Sequence, residues 1–390
     1  MSQYLRQLQL SQLLKKKSHF LFGPRATGKS TLIRTQLTAQ ALIINLLHND
    51  YYLRLSTNPS ELENMIRFAQ TQKPDLSWIV IDEVQKIPAL LDEVHRLIEE
   101  KQYRFLLTGS SARKLKSGQS NLLAGRAWKS NLFPLTSREI PNFSLENYLH
   151  HGGLPAVVQS QDPIEELHAY TSLYLREEIQ GEGLIRHLAP FARFLSQAAH
   201  CNGQILNFAK IGSDAQVPPS TIREYFEILQ DTLVGFLLPP WLSAKKRKSV
   251  TTSKFFFFDI GVANTLRGIT HIEKNSTEWG MAFEHFIAME LRAALGYFRI
   301  KAPMSFWRSA RHDEVDFIIG DHIAIEVKSK TKTSYRDAKG LQKLQEEGIL
   351  STYLLVSDDP ICRIENGITF IHWPVFLDQL WKNVFGLAQE

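Results

Sequence analysis

The chain is 390 residues long, 44% hydrophobic and 22% charged, with a net charge of +5. That balance excludes a disordered chain and asks for two or three folded domains rather than one core. Its two cysteines, Cys201 and Cys362, exclude a disulfide framework or a cysteine-built zinc site, and the mild basic excess permits a nucleic-acid partner without requiring one.

At the amino end, MSQYLRQLQLSQLLKKKSHF lacks the unbroken apolar core and small-residue cleavage site of a secretion signal. No apolar run approaches the length that spans a bilayer, so the expectation is a cytoplasmic protein with no membrane partner. The run His19-Phe20-Leu21-Phe22 reads as a strand, and Thr31-Leu32-Ile33-Arg34 can open a helix. Between them lies Gly23-Pro24-Arg25-Ala26-Thr27-Gly28-Lys29-Ser30. Strand, glycine-rich loop and helix start are the context that a phosphate-binding loop requires. The glycines let backbone N–H groups and the helix dipole face a polyphosphate. Gly23 to Thr31 are therefore expected to hold ATP, Lys29 to reach the β- and γ-phosphates, and the Ser30 hydroxyl to join a Mg²⁺ shell.

A second strand is expected at Ala41-Leu42-Ile43-Ile44-Asn45-Leu46 and a third at Trp78-Ile79-Val80-Ile81, ending in Asp82-Glu83. Carboxylates at the carboxyl end of a buried parallel strand sit where open α/β sheets bind ligands. Asp82 is assigned to Mg²⁺ and Glu83 to the water that attacks the γ-phosphate. The run Arg104-Phe105-Leu106-Leu107 is a further strand, and Thr108 at its end reads as a sensor of the γ-phosphate, or as a helix cap beside Ser110 and Ser111. Arg126 reads equally as an arginine finger or as half of a surface ion pair. Strands alternating with helices predict a parallel sheet covered on both faces.

The helix around 145–151 should stop at Gly152-Gly153, with Pro155 beyond. Helical patterns follow at 163–180 and 188–200, and residues 204–234 have the order of a helix-turn-helix, with Ser220 capping its last helix. Lys245-Lys246-Arg247-Lys248 reads either as a basic wing that grips phosphates or as a solvated charge run. Phe255–Phe258 is a buried strand bracketed by Lys254 and Asp259, and Asp259 should cap the helix that follows; the histidines, His150 and His151 included, show no metal-ligand spacing.

Near the carboxyl end, Asp316 lies in an apolar strand, and the next strand, Ile323–Lys328, puts Glu326 and Lys328 on one face. Asp316 and Glu326 beside each other would bind Mg²⁺ or Mn²⁺, with Glu284 as a further ligand and Lys328 steadying hydroxide or scissile phosphate. The bland alternative is an amphipathic hairpin with exposed charges.

GPRATGKS, WIVIDEVQK, LLTGSSARKL, LAGRAW, HGGLPAVV, FFFFDIGVANTL, GMAFEHF, HDEVDFII and IAIEVKSK occur in this order over nearly the whole chain. In these runs it resembles the AAA-type ATPases that carry a C-terminal domain of unknown function. The resemblance implies an additional-strand P-loop core, a winged-helix part and a restriction-endonuclease-like last domain. It also allows a homo-oligomer, since AAA-like proteins often form rings. Ala26 stands where such proteins often have glutamine.

The fold expected is α/β: a P-loop sheet over 1–145, a helical, winged-helix-like region over 146–254 and a smaller restriction-endonuclease-like domain over 255–390. The function expected is a Mg²⁺-dependent ATPase whose cycle regulates a domain that binds, and in one version cleaves, DNA. The alternative is an ATP-gated switch with a silent nuclease-like domain that recruits a protein or DNA. A small-molecule kinase is disfavoured, because Asp82-Glu83 suits water activation and no acceptor lid is evident.

Overall fold

The structure is a computed structural model and describes residues 4–109, 123, 125–174 and 188–386. Ser110, Ser111 and the expected helix beyond residue 174 lie outside these. The chain divides into two compact units, Met1–Ile140 with Asp231–Val234, and Pro141–Gln230 with Gly235–Glu390.

The first unit is built on five parallel strands: β1 (Ser18–Phe22), β2 (Ala41–Asn45), β3 (Trp78–Asp82), β4 (Phe105–Gly109) and β5 (Ala127–Asn131), in the order β2-β3-β4-β1-β5. One strand, β4, separates the loop-bearing β1 from the acid-bearing β3. Every residue of β1, β3 and β4 is buried, as apolar runs covered on both faces should be. Helices Leu10–Lys16, Lys29–Leu37, Asn49–Thr57, Glu61–Gln72 and Leu90–Lys101 lie between these strands in sequence or precede them. The core gathers Phe20, Phe22, Ile44, Leu62, Ile66, Ile81, Val94 and Leu107 from strands and helices alike.

In the second unit the helix Leu145–His151 is capped by the Ser144 side chain and ends at Gly152, whose φ of 76° is open to glycine at little cost. Further on come the helix Leu188–His200, β6 (Gln204–Ile205), helices Phe208–Ala215 and Pro219–Asp231, β7 (Gly235–Leu238) and β8 (Lys254–Phe257). The three strands form an antiparallel sheet in the order β6-β8-β7. Ser220 lies inside the last of these helices, not at its cap, because Pro219 already opens the first turn.

The helix Thr277–Tyr297 leads into a six-stranded mixed sheet. Its strands are β9 (Met304–Arg308), β10 (Glu314–Ile319), β11 (Ile323–Lys328), β12 (Thr352–Ser357), β13 (Arg363–Glu365) and β14 (Ile368–His372), in the order β13-β14-β12-β11-β10-β9. β11 runs parallel to β12 and antiparallel to β10. Helices Lys339–Gln345 and Trp373–Trp381 complete this part. Among the described residues no helix is long and apolar enough to cross a membrane.

Candidate nucleotide site and acidic cluster

Gly23–Gly28 turn from β1 into the helix Lys29–Leu37, with Gly28 at φ 92° and Ala26 at φ 64°. A Cβ on Gly23 would sit 2.5 Å from the Leu132 carbonyl oxygen, so no larger residue fits there. Thr27 donates its hydroxyl to the Pro24 carbonyl at 2.8 Å, which tightens the turn. Lys29 is 7% exposed, and its Nζ donates to the carbonyls of Gly23 at 2.6 Å and Pro24 at 3.0 Å. Arg25, Ala26, Ser30 and Thr31 are exposed.

At the end of β3 the expected metal groups meet. Ser30 Oγ donates to Asp82 Oδ2 at 2.9 Å, while Thr108 Oγ1 donates to the other carboxylate oxygen. The same Thr108 oxygen accepts the Glu83 N–H at 3.2 Å, so the hydroxyl ties β4 to the turn after β3. Thr108, expected as a γ-phosphate sensor or a helix cap, here touches the Asp82 carboxylate and the Glu83 backbone. Glu83 sits at φ 63°, a left-handed conformation that non-glycine residues rarely take, and its carboxylate accepts from Gln85 Nε2 at 2.5 Å. Arg126, finger or ion pair in the sequence, pairs with Glu99 at the surface.

A brace that the sequence did not announce supports the loop from below. Arg6 is 6% exposed and donates to Glu139 at 3.0 Å, to the Thr27 carbonyl at 3.0 Å and to the Phe133 carbonyl at 2.5 Å. Glu139 in turn accepts the backbone N–H groups of Gln7 and Thr136. The signal was faint: one arginine in the amino-terminal segment and one glutamate past the last strand, 133 positions apart.

The carboxyl-terminal acids also come together. Asp316 Oδ2 accepts the Val327 N–H at 2.8 Å, which ties β10 to β11 beside Glu326. Lys328 Nζ and Glu326 Oε1 pair along one face of β11, as the alternation predicts. The unexpected member is Lys254, at the start of β8. Its side chain is 4% exposed, and Nζ lies 2.6 Å from Glu314, 3.0 Å from Glu284 and 3.9 Å from Asp316. Burial pulls this ammonium down, but the charges of Glu284, Asp316 and Glu314 outweigh it and the net shift is upward. Burial, opposed by Lys254, lifts Glu284 to about 7, while burial and the Asp316 charge push Glu326 well up.

Glu284, Asp316 and Glu326 were expected to hold Mg²⁺ or Mn²⁺; among the described residues no group of three histidine, cysteine, aspartate or glutamate side chains is spaced to hold a metal ion, and an internal ammonium bridges Glu284, Glu314 and Asp316. The Lys245 and Lys246 N–H groups donate to Glu347, and Arg247 pairs with Glu346 and Glu347, so the segment is fastened to the end of the helix Lys339–Gln345. It is no free wing.

Residues 15–141 match the family described as an AAA domain, and this part of the chain is similar to AAA-type ATPases. Residues 142–273 and 279–376 match two domains of unknown function, DUF8612 and DUF4143. An uncharacterised protein of Mycobacterium tuberculosis is 27% identical over 316 residues, covering 77% of this chain and 66% of its own length. The chain thus spans a little under two thirds of that relative. An uncharacterised protein of Haemophilus influenzae is 23% identical, covering 69% of this chain and 72% of its own. Among solved structures, the Aeropyrum pernix ORC1 protein in complex with DNA shares 12% identity at a TM-score of 0.29, covering 66% of this chain and 90% of that one. The ORC2 protein of the same organism shares 13% at 0.27, covering 67% and 91%. Superpositions this loose say nothing of function.

Proposed function

We propose that the chain is a Mg²⁺-dependent ATPase whose nucleotide cycle gates a carboxyl-terminal binding domain. The observation that carries the reading is the junction of Ser30, Asp82, Thr108 and Glu83 at the ends of two adjacent strands, beside a glycine-rich loop and a helix start. Gly23 to Thr31 would cradle the phosphates through backbone N–H groups, with Lys29 on the β- and γ-oxygens. Ser30 and Asp82 would hold Mg²⁺, which supplies charge neutralisation on the phosphates when bound. Glu83 would orient and deprotonate the attacking water, its carboxylate steadied by Gln85 and its backbone by Thr108.

For the rest of the chain, helix, strand, two helices and two strands with the sheet order β6-β8-β7 support a winged-helix reading of residues 188–257. Its last helix exposes Arg223 among Glu224 and Glu227, and Arg223 lies over the Phe208 ring at 4.7 Å. Such a face would hold DNA weakly and in a salt-sensitive way. The mixed sheet β9–β14, with Asp316, Glu326 and Lys328 at adjacent strands, supports a restriction-endonuclease-like reading, and the ammonium of Lys254 among the acids favours a silent domain over a cleaving one. Assembly into a homo-oligomer is supported by the resemblance alone.

The test is ATP hydrolysis by wild type and Lys29→Ala, with and without single- and double-stranded DNA. We expect hydrolysis that needs Mg²⁺, is abolished in the variant and rises with DNA. Hydrolysis by Lys29→Ala at the wild-type rate would overturn the site assignment, and a rate indifferent to DNA would remove DNA as the partner.

A further inference from the structure

A restriction-endonuclease-like sheet is built to place acids around a divalent cation, and here the acids close instead around an ammonium, with no group of three metal-ligating side chains among the described residues spaced to hold a metal ion. Glu284 comes from the helix Thr277–Tyr297, Glu314 and Asp316 from β10, and Glu326 from β11. Lys254 enters from β8, the middle strand of the three-stranded sheet, and spans Glu284, Glu314 and Asp316 with one nitrogen. Lys328 pairs with Glu326 Oε1, while Glu326 Oε2 is buried with no hydrogen-bond partner among the described residues. Arg308 reaches Glu314 at 3.5 Å and pairs with His312 at 2.9 Å.

Two features make Lys254 a fixture and not a passing surface contact. Its backbone is held by pairing on both sides, Ile205 and Leu238 being its partners in β6 and β7. Its ammonium also lies 5.3 Å from the centroid of the Phe306 ring, which adds a cation–π attraction and walls off one approach. An ammonium bonded to these oxygens repels a second cation brought to the same oxygens, and burial leaves little solvent to screen that repulsion.

We propose that Lys254 is the resident cation of this cluster, taking the part of the divalent metal that such a sheet would otherwise need, so that the last domain is metal-free while β8 keeps its place. The inference rests on the nuclease-like reading of that domain and is independent of the ATP site. It also gives the acids a purpose: they pin the three-stranded sheet to the six-stranded one through a single side chain.

The experiment is Mn²⁺ binding followed by electron paramagnetic resonance on the nucleotide-free full chain, in wild type, Asp316→Asn, Lys254→Met and the double variant. Methionine keeps the length of the buried stem and removes the charge. In Lys254→Met we expect a Mn²⁺ site that Asp316→Asn abolishes, on the order of 100-fold tighter than any Asp316-dependent binding in wild type. Wild-type chain that binds Mn²⁺ through Asp316 would overturn the proposal, and so would a folded Lys254→Met chain that gains no ion. Should Lys254→Met fail to fold, the comparison of wild type with Asp316→Asn decides alone. Hydrolysis of ATP by each protein, unchanged if the two sites are independent, separates failure here from failure of the ATPase reading.

Discussion

Thr108 uses both ends of its hydroxyl, donating to Asp82 and accepting from the Glu83 N–H. A side chain of the same shape without the oxygen would leave the Asp82 carboxylate one donor short and the Glu83 N–H without its acceptor. Losing a hydrogen bond to a charged group is worth about 1.5–3 kcal/mol. If that loss falls on the geometry of the reacting groups and not on the phosphates, Thr108→Val should lower kcat by roughly 10- to 100-fold. Nucleotide affinity should change little, because the loop and Lys29 are untouched; kcat measured beside a binding titration checks this. A loss of affinity with kcat intact would return Thr108 to the role of a phosphate contact. The same residue shows where sequence reading stops. Lys29, Ser30 and Asp82 were legible because motif chemistry prescribes them, and Ser30 does bond to Asp82. Arg6, Glu139 and Lys254 were not, since each acts through a tertiary contact that no spacing in the chain encodes. Lys254 in particular read as the polar bracket of an aromatic strand.

At the scale of elements, strands followed from composition: the apolar runs within β1, β3 and β4 asked for cover on both faces and every residue of the three is buried, and alternation on β11 put Glu326 and Lys328 on one side. Asp259 was expected to cap the helix Ile260–Leu266 and does so, accepting the Val262 N–H at 3.1 Å. What the sequence hid is its second duty, accepting the Gly153 N–H at 2.8 Å and so fixing the preceding glycine turn. A Cβ on Gly152 would sit 2.2 Å from that carboxylate. Burial raises Asp259 from 3.8 to about 6, against the pull of its backbone hydrogen bonds. Nearby in sequence, His285 bonds to the Phe257 carbonyl and to Asn202, and burial lowers it from 6.5 to about 4.

These two groups act on stability with opposite signs. Between pH 4 and 6 the folded chain keeps the Asp259 proton that the unfolded chain has released, so this group makes stability fall as pH rises, by about 3 kcal/mol over the window. His285 does the reverse: the unfolded chain binds the proton first, so its contribution is complete above pH 6.5 and is lost as pH falls towards 4, again by about 3 kcal/mol. Compared with wild type, Asp259→Asn should therefore be relatively more stable at pH 6.5 than at pH 4. His285→Gln should be relatively more stable at pH 4 than at pH 6.5. Thermal midpoints collected across that range check both, and parallel curves for all three proteins would contradict the assignment.

At the scale of the whole molecule, the question is whether two units answer one nucleotide. A ligand that binds the folded first unit stabilises it by about 2.7 kcal/mol at a concentration 100 times its Kd. For a unit of this size that raises a melting midpoint by roughly 5–10 °C. ADP with Mg²⁺ should produce such a shift in wild type and none in Lys29→Ala, since the lysine is taken to supply the charge that meets the phosphates. Among its described residues the second unit holds no phosphate loop, so its own transition can move only if folding of the two is coupled. Calorimetry resolves the cases. Two transitions of which only one shifts would describe an ATPase and a binding domain that share a chain without sharing free energy. A joint shift would supply the coupling that a nucleotide-gated switch requires, because a ligand alters a distant site only to the extent that its binding energy differs between that site's states. Since Lys254 draws its acids from elements of the second unit alone, Lys254→Met should lower that unit's transition and leave the nucleotide-dependent one in place.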